Sequence, residues 1–357
     1  MRVLHLFGDW KWTGPSEPTL DLCLELRTLG IDVTFACRPP PDGAAGGLAA
    51  RARERGLLPL HDFGLERSLS IIKNLGDIRK IADACREVDI LHVHFSHDHA
   101  VGGLGARRSG RTKILRTNHK AVATPDNLAT RHLYRKLTDG YITFSQAALD
   151  EEVATFGLRG WRIDPALNLE RFTPREAPHE GFVVGVVARM QRHRRFATLL
   201  EGVSLAKVPD LRVVVVGRGT HMQEVAVEPA KRLGLTNVVF TGYLGDKYLD
   251  TLAGFDALLF LVPGSDGTCR AIREAMAMGR AVIGARRGMI PEIVEDGKTG
   301  LVIDDTPENI AHAIERLAAD RALCRAMGQA GRAKALNLYG LKRQAAEVKK
   351  IYESIVP

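Results

Sequence analysis

The segment ALLFLVPGSDGTCRAIREAMAMGRAVI, residues 257–283, decides the fold. Its apolar residues 257–261 predict a strand, which ends in a glycine-containing turn, continues into a helix and returns to a strand at residues 281–283. Strand, helix and strand in this order form a β-α-β unit, in which the two strands are parallel. The turn directs backbone N–H groups and the positive end of the helix dipole at one point, an arrangement that suits a diphosphate.

The same alternation extends along the chain in both directions. Residues 2–7, 31–37, 90–95, 113–117 and 140–145 read as strands of a first sheet, separated by helical stretches such as 17–30 and 69–86. A proline-containing stretch at 165–181 precedes a second series of strands at 182–188, 211–216, 238–241, 257–261, 281–283 and 300–302. We therefore predict an α/β protein with two Rossmann-like domains that face each other across a cleft.

The domain boundaries follow from this pattern. Residues 1–164 form the predicted N-terminal domain, 165–181 the linker and 182–335 the C-terminal domain. The last helices, residues 336–357, are predicted to pack back on the N-terminal domain.

Composition excludes several classes of protein. The 357 residues are 45% hydrophobic and 26% charged, as in globular proteins, and contain no apolar run of the roughly 20 residues that span a bilayer. The five cysteines are odd in number and form no C-x-x-C motif, which argues against disulfide and zinc frameworks and favours a cytoplasmic location. A net charge of +8 suits a nucleotide or peripheral contact with the inner membrane face. The basic residues are dispersed, so we predict no nucleic-acid partner.

Two carboxylates flank the turn that follows residue 261. Glu274 lies eight residues after Asp266, about two helical turns along, where it can accept hydrogen bonds from a ribose diol. The alternative interpretation makes Asp266 a helix cap, Gly267 a turn residue and Glu274 a solvated helix residue. Gly217 and Gly219 do not open a dinucleotide fingerprint, because no third glycine follows at the required spacing.

A histidine-rich segment, HVHFSHDH at residues 92–99, raises the question of a metal. His92 and His94 share one face of a predicted strand, whereas metal sites need three or four converging ligands. Histidines at strand ends more often line a cleft, so we predict no metal, and a metal-dependent hydrolase stays as an alternative.

Several motifs in order resemble the retaining glycosyltransferases of family 4, the glycosyl transferases of group 1. The family's E-x7-E and E-A-M-A-x-G-x-P-V are similar to residues 266–282, with Asp266 in place of the first glutamate. GMIPEIVEDGKTG at 288–300, VGRG at 216–219, FTGY at 240–243, LERFTP at 169–174 and VDILHVH at 88–94 match further family motifs. The resemblance implies the two-domain GT-B fold.

The resemblance also implies roles for individual residues. The implied catalytic residues are His119, facing the transferred sugar; Arg189 and Arg194, binding the leaving diphosphate; and Asp266, contacting sugar hydroxyls. The implied donor-binding residues are Gly14, Gly217, Tyr243, Gly267, Thr268, Cys269 and Glu274.

By this resemblance the chain is an enzyme that moves a sugar from a nucleoside diphosphate sugar to a hydroxyl of a glycan or lipid-linked acceptor, with retention and without a cofactor. A nucleotide-sugar epimerase on the same fold and a non-catalytic nucleotide-sugar binding protein are the alternatives. An epimerase would convert its donor without an acceptor, and a binding protein would show no turnover.

Overall fold

The N-terminal apolar run forms an interior strand of a parallel sheet. The computed structural model describes residues 1–41, 44, 46–67, 70–175, 177–263 and 268–356. In it β1 (Arg2–Phe7) lies between β2 (Asp32–Cys37) and β3 (Ile90–Val93), and the sheet continues with β4 (Lys113–Thr117), β5 (Gly140–Thr143) and β6 (Gly160–Arg162). β1, β3, β4 and β5 are almost fully buried, as expected for parallel strands with helices on both faces.

Helices separate these strands. They are α1 (Ser16–Thr28), α2 (Leu48–Glu54), α3 (Ile71–Cys85), α4 (Ser96–Ser109), α5 (Leu128–Lys136) and α6 (Gln146–Phe156). Side-chain caps define several N-termini: the Ser70 hydroxyl accepts a hydrogen bond from the backbone N–H of Lys73, and Asn127 forms a capping box with Thr130.

The second half of the chain builds a second parallel sheet. Its strands are β7 (Phe182–Val187), β8 (Leu211–Val216), β9 (Val238–Gly242), β10 (Ala257–Phe260), β11 (Ala281–Ala285) and β12 (Gly300–Ile303). Its helices are α7 (Phe196–Leu205), α8 (Glu228–Arg232), α9 (Tyr248–Ala253), α10 (Arg270–Ala277), α11 (Ile290–Ile293), α12 (Pro307–Ala319) and α13 (Arg321–Leu338). Within the described residues each sheet has six strands, in the orders β2-β1-β3-β4-β5-β6 and β12-β11-β10-β7-β8-β9. The predicted α/β class with two Rossmann-like sheets is thereby confirmed.

The final helix, α14 (Leu341–Ile355), returns to the first sheet. Its buried Val348, Ile351 and Tyr352 join Leu20 and Leu26 of α1 in one hydrophobic cluster. The chain accordingly forms two units, Met1–Ala166 with Leu341–Pro357, and Leu167–Gly340. The predicted domain limit at residue 335 falls inside α13, and most of the predicted linker lies in the second unit. None of the described helices is both long enough and apolar enough to cross a membrane.

Candidate functional site

A pocket of about 830 Å³ opens in the second unit at the carboxyl ends of β7, β8 and β10. This edge of a parallel sheet is where ligands of α/β proteins generally bind. Six of the predicted site residues line the pocket: Arg189, Arg194, Gly217, Tyr243, Cys269 and Glu274. Thr268 is buried next to it but does not line it, and Asp266 and Gly267 lie outside the described residues.

Glu274 forms one wall of the pocket from the second turn of α10. Its carboxylate is buried and accepts hydrogen bonds from the Tyr248 hydroxyl at 2.6 Å and from Nε of Arg270 at 2.7 Å. Burial and the neighbouring carboxylate raise the pKa of Tyr248 well above its usual value, so this phenol remains a donor. Each carboxylate oxygen has two acceptor sites, so the pair still offers capacity for ligand hydroxyls.

The residue that directly precedes α10 has a left-handed backbone conformation. Cys269 has φ of 51° and is buried, and Nη2 of Arg273 donates to the carbonyl of Thr268 at 3.0 Å. These contacts hold the N-terminus of α10 at the pocket, where Cys269, Arg270 and Ala271 are lining residues. A helix N-terminus carries a partial positive charge and favours anions.

Among the described residues, positive charge dominates the pocket wall, whose lining contains one glutamate and five arginines, Arg171, Arg189, Arg194, Arg218 and Arg270. Nη1 of Arg194 donates to the carbonyls of Val262 at 3.1 Å and Pro263 at 2.5 Å, which ties the end of the β10 segment to the loop after β7. Arg194 therefore both stabilises the loops of the pocket and contributes positive charge to it. Together the five arginines can accommodate a ligand with two or more negative charges.

Glycine brings two loops of the pocket close together. Gly217 has φ of 132°, and a Cβ atom built on it would lie 2.2 Å from the carbonyl oxygen of Ala188.

Tyr243 is 76% exposed and its ring lies 5.4 Å from the Arg218 guanidinium carbon, so it offers a flat aromatic face at the pocket rim. Such a face is suited to stacking with a planar base.

The remaining two predicted site residues belong to the first unit. Gly14 lies in an exposed turn between β1 and α1, and His119 is buried in the segment after β4. Both follow the carboxyl ends of parallel strands of the same sheet. Burial, and secondarily Arg116, lowers the pKa of His119 to about 3.

His119 ends a continuous set of hydrogen bonds that we term the buried histidine chain. Its members, in order, are Thr117, His92, Tyr352, His5, His94 and His119. The bonds are Thr117 Oγ1 to His92 Nε2, 2.7 Å; His92 Nδ1 to Tyr352 Oη, 2.7 Å; Tyr352 Oη to His5 Nε2, 3.0 Å; His5 Nδ1 to His94 Nε2, 3.0 Å; and His94 Nδ1 to His119 Nε2, 2.9 Å.

His5, His92 and His94 also offer nitrogen atoms within 4.8 Å of one another, the geometry of a candidate metal cluster. Both ring nitrogens of each of these histidines already have a hydrogen-bond partner in the chain described above. A bound ion would have to displace those bonds, so the hydrogen-bonded arrangement accounts for the three rings without one.

Sequence reasoning missed Tyr248, Arg270 and Tyr352. Arg270 had a readable signal, because it stands four residues before Glu274 on one helix, the spacing of an intrahelical ion pair. Tyr248 and Tyr352 had none, since their partners are 26 or more residues away.

Comparison with known proteins identifies two family models that together match nearly the whole chain. "Glycosyltransferase Family 4" matches residues 14–168 and "Glycosyl transferases group 1" matches residues 170–334. EpsD of Bacillus subtilis is 27% identical over 310 residues, which are 78% of this chain and 79% of EpsD. A GDP-mannose-dependent phosphatidylinositol monomannoside mannosyltransferase of Mycolicibacterium smegmatis is 34% identical over 151 residues, 40% of this chain and 39% of that protein.

Among solved structures, Anabaena HepE in complex with UDP superimposes with a TM-score of 0.84 at 18% identity, over 99% of this chain and 100% of HepE. At this identity the similarity shows the fold, which is the predicted two-domain architecture.

Proposed function

From the premise that the chain belongs to the group 1 and family 4 glycosyltransferases, with the GT-B fold, we propose that its donor is a nucleoside diphosphate sugar. The observation that carries this proposal is the buried Glu274 carboxylate in a pocket whose wall bears five arginines. A diphosphate matches the arginines and the N-terminus of α10, and a ribose diol matches the carboxylate.

The reaction is transfer of the sugar to a hydroxyl of a glycan or lipid-linked acceptor, with retention of anomeric configuration. As the glycosidic bond breaks, negative charge grows on the leaving diphosphate, and we propose that Arg189 and Arg194, which line the pocket, offset it. Asp266 is proposed to contact the sugar hydroxyls. Since arginines supply the positive charge, we propose that transfer proceeds without a metal, and EDTA should leave the rate unchanged.

Titration calorimetry with UDP, GDP and ADP tests donor binding. One nucleotide should bind, and Glu274→Gln should weaken it about 10- to 100-fold, because a hydrogen bond to a charged group contributes about 1.5–3 kcal/mol. Glu201→Gln, the same change at an exposed position of α7, is the control and should bind like wild type. Equal affinity of wild type and Glu274→Gln for every nucleotide would contradict the proposed site.

Product analysis by NMR separates the alternatives. Transfer predicts a new glycoside, in the donor's anomeric configuration, that forms only when an acceptor is added. Conversion of the sugar without an acceptor would indicate an epimerase, and binding without any turnover across an acceptor panel would indicate a binding protein.

We place the enzyme in the cytoplasm at the inner membrane face. All five cysteines are free and buried, as suits a reducing compartment. The start of α3 exposes Ile71 at 74% and Ile72 at 85%, beside the exposed Lys73, and Leu75 at 49% on the same helix. Exposed apolar residues next to basic ones suit an anionic bilayer surface.

Vesicle sedimentation tests this contact. Ile71→Ser with Ile72→Ser should reduce binding to vesicles that contain an anionic phospholipid, whereas Leu336→Ser, at a 53% exposed position of α13, should not. Equal binding of both variants would exclude this helix as the contact.

A further inference from the structure

The buried histidine chain constrains where its hydrogen atoms lie. Burial lowers the pKa of His5 and His119 to about 3 and the pKa of His92 and His94 well below its usual value. At neutral pH each ring is therefore neutral and has one N–H group, and its other nitrogen is an acceptor.

These rings cannot choose their tautomers independently. Every hydrogen bond needs one hydrogen, and each histidine and Tyr352 supply only one apiece. If the Thr117 hydroxyl donates to Nε2 of His92, then His92 carries its hydrogen on Nδ1 and donates it to the Tyr352 oxygen. The buried Tyr352 hydroxyl then donates to its other partner, Nε2 of His5. Consequently His5, His94 and His119 all carry hydrogen on Nδ1. If the direction is reversed, all four histidines carry hydrogen on Nε2.

The Thr117 end selects between the two directions. In the reversed direction Thr117 accepts from His92, and its own hydroxyl hydrogen requires a different acceptor. Among the described residues, His92 is the hydrogen-bond partner of this buried hydroxyl and no second one is present. A buried hydroxyl hydrogen without an acceptor is unfavourable by about 1–3 kcal/mol, which favours donation by Thr117.

We propose that the buried histidine chain fixes His119 as the Nδ1–H tautomer and that Tyr352, on α14, is the positioning residue that transmits this choice between His92 and His5. Among the described residues, His119 makes its side-chain hydrogen bond through Nε2, so Nδ1 is the ring nitrogen available to a ligand. His119 thereby donates a hydrogen bond to a sugar or phosphate oxygen. His119 does not take a proton from the hydroxyl of the acceptor substrate, because its Nδ1 already carries hydrogen. Freeing that atom would require the hydrogen to move to Nε2 and the bond with His94 to reverse.

The proposed consequence for catalysis rests on the proposed transfer reaction, but the tautomer itself can be measured without turnover. In protein labelled with ¹⁵N-histidine, the ring ¹⁵N shifts of His119, assigned by the loss of signals in His119→Gln, should show a protonated Nδ1 and an unprotonated Nε2. A protonated Nε2 in the wild-type protein would overturn the assignment, whatever the enzyme's activity.

Two variants test how the choice is made. Tyr352→Phe removes the central hydroxyl and Thr117→Val removes the terminal one, so each should give a mixture of His119 tautomers. Because kcat scales with the fraction of the Nδ1–H tautomer, it should fall about two- to tenfold. Thr117→Ser keeps a hydroxyl and should restore both the single tautomer and the rate. Nucleotide affinity, a property of the second unit, should stay at the wild-type value in all three.

Tyr134→Phe is the matched control. It removes a buried hydroxyl that bonds to Thr124 at 2.9 Å in the same unit, so it should change neither the tautomer nor kcat. An unchanged His119 tautomer in folded Tyr352→Phe would refute the role of Tyr352. If Tyr352→Phe does not fold, the Thr117 variants test the buried histidine chain from its other end. An unchanged His119 tautomer in folded Thr117→Val would then refute the proposal.

Discussion

Acidification should destabilise the first unit, since its buried histidines are neutral when folded. Between about pH 7.5 and pH 5 an unfolded imidazole, with a pKa of about 6.5, becomes protonated, whereas a folded one with a much lower pKa does not. The unfolded chain then binds more protons, so the free energy of unfolding falls as the pH falls. For His5 and His119, whose pKa burial lowers to about 3, the loss is about 2 kcal/mol each at pH 5.

Other buried groups change this total in known directions. The pKa of His92, His94 and His99 is also lowered well below its usual value by burial, and these residues add to the loss. Burial raises the pKa of Asp98 to about 7, so on acidification the folded protein binds a proton at this carboxyl at a higher pH than the unfolded chain does. This stabilises the folded state and offsets about 2–3 kcal/mol of the loss. Glu152 shifts in the same direction as Asp98, also through burial. Because five histidines act in one direction and two carboxyls in the other, the free energy of unfolding decreases on acidification.

Urea unfolding measured by tryptophan fluorescence is a direct assay, because Trp10, Trp12 and Trp161 all belong to the first unit. The extrapolated free energy of unfolding should be several kcal/mol lower at about pH 5 than at about pH 7.5. Asp98→Asn removes the main offset and should increase that difference by about 2–3 kcal/mol. The reasoning fails if Asp98→Asn protein has the same unfolding free energy at both pH values.

Three further predictions concern the second unit and the cysteines. Gly217→Ala should lower nucleotide affinity at least about tenfold in calorimetry, since its Cβ would lie 2.2 Å from a carbonyl oxygen. Gly234→Ala, in open space with φ of +67°, should only reduce stability by about 1–2 kcal/mol. Equal nucleotide affinity of the Gly217→Ala and Gly234→Ala proteins would contradict this. Arg194→Lys keeps the charge but removes the guanidinium whose Nη1 donates to the carbonyls of Val262 and Pro263. We expect kcat to fall about tenfold in a transfer assay, and an unchanged kcat would show that charge alone suffices. The five buried cysteines should resist iodoacetamide in the folded protein and react in urea, as mass spectrometry can count; rapid alkylation of the native protein would show that they are accessible.

Sequence patterns predicted the parts of this structure that depend on local chemistry. Buried parallel strands need continuous apolar runs, so both sheets and most of their strand bounds were readable. The two-residue spacing of His92 and His94 placed both on one strand face, and their rings stack at 4.6 Å between centroids. The helix α10, with Glu274 on it, followed from the segment 257–283 in the same way.

Contacts between distant segments could not be predicted. Nothing in residues 341–357 indicates that Tyr352 bonds to His5, 347 positions earlier. The pairing of Tyr248 with Glu274 depends on how α9 packs beside α10, and the hold of Arg194 on two backbone carbonyls depends on a loop that has no sequence signal. Periodicity shows which face of an element is buried but not which residue meets it.

The return of α14 to the first sheet affects how the protein is made. The second unit is one continuous segment, Leu167–Gly340, whereas the first unit needs α14 to complete the hydrophobic cluster that it shares with α1 and β1. During synthesis the N-terminal segment must therefore wait, with part of its core uncovered, until the whole second unit has emerged from the ribosome. Domains usually fold in the order of their translation, but here the later one can finish first.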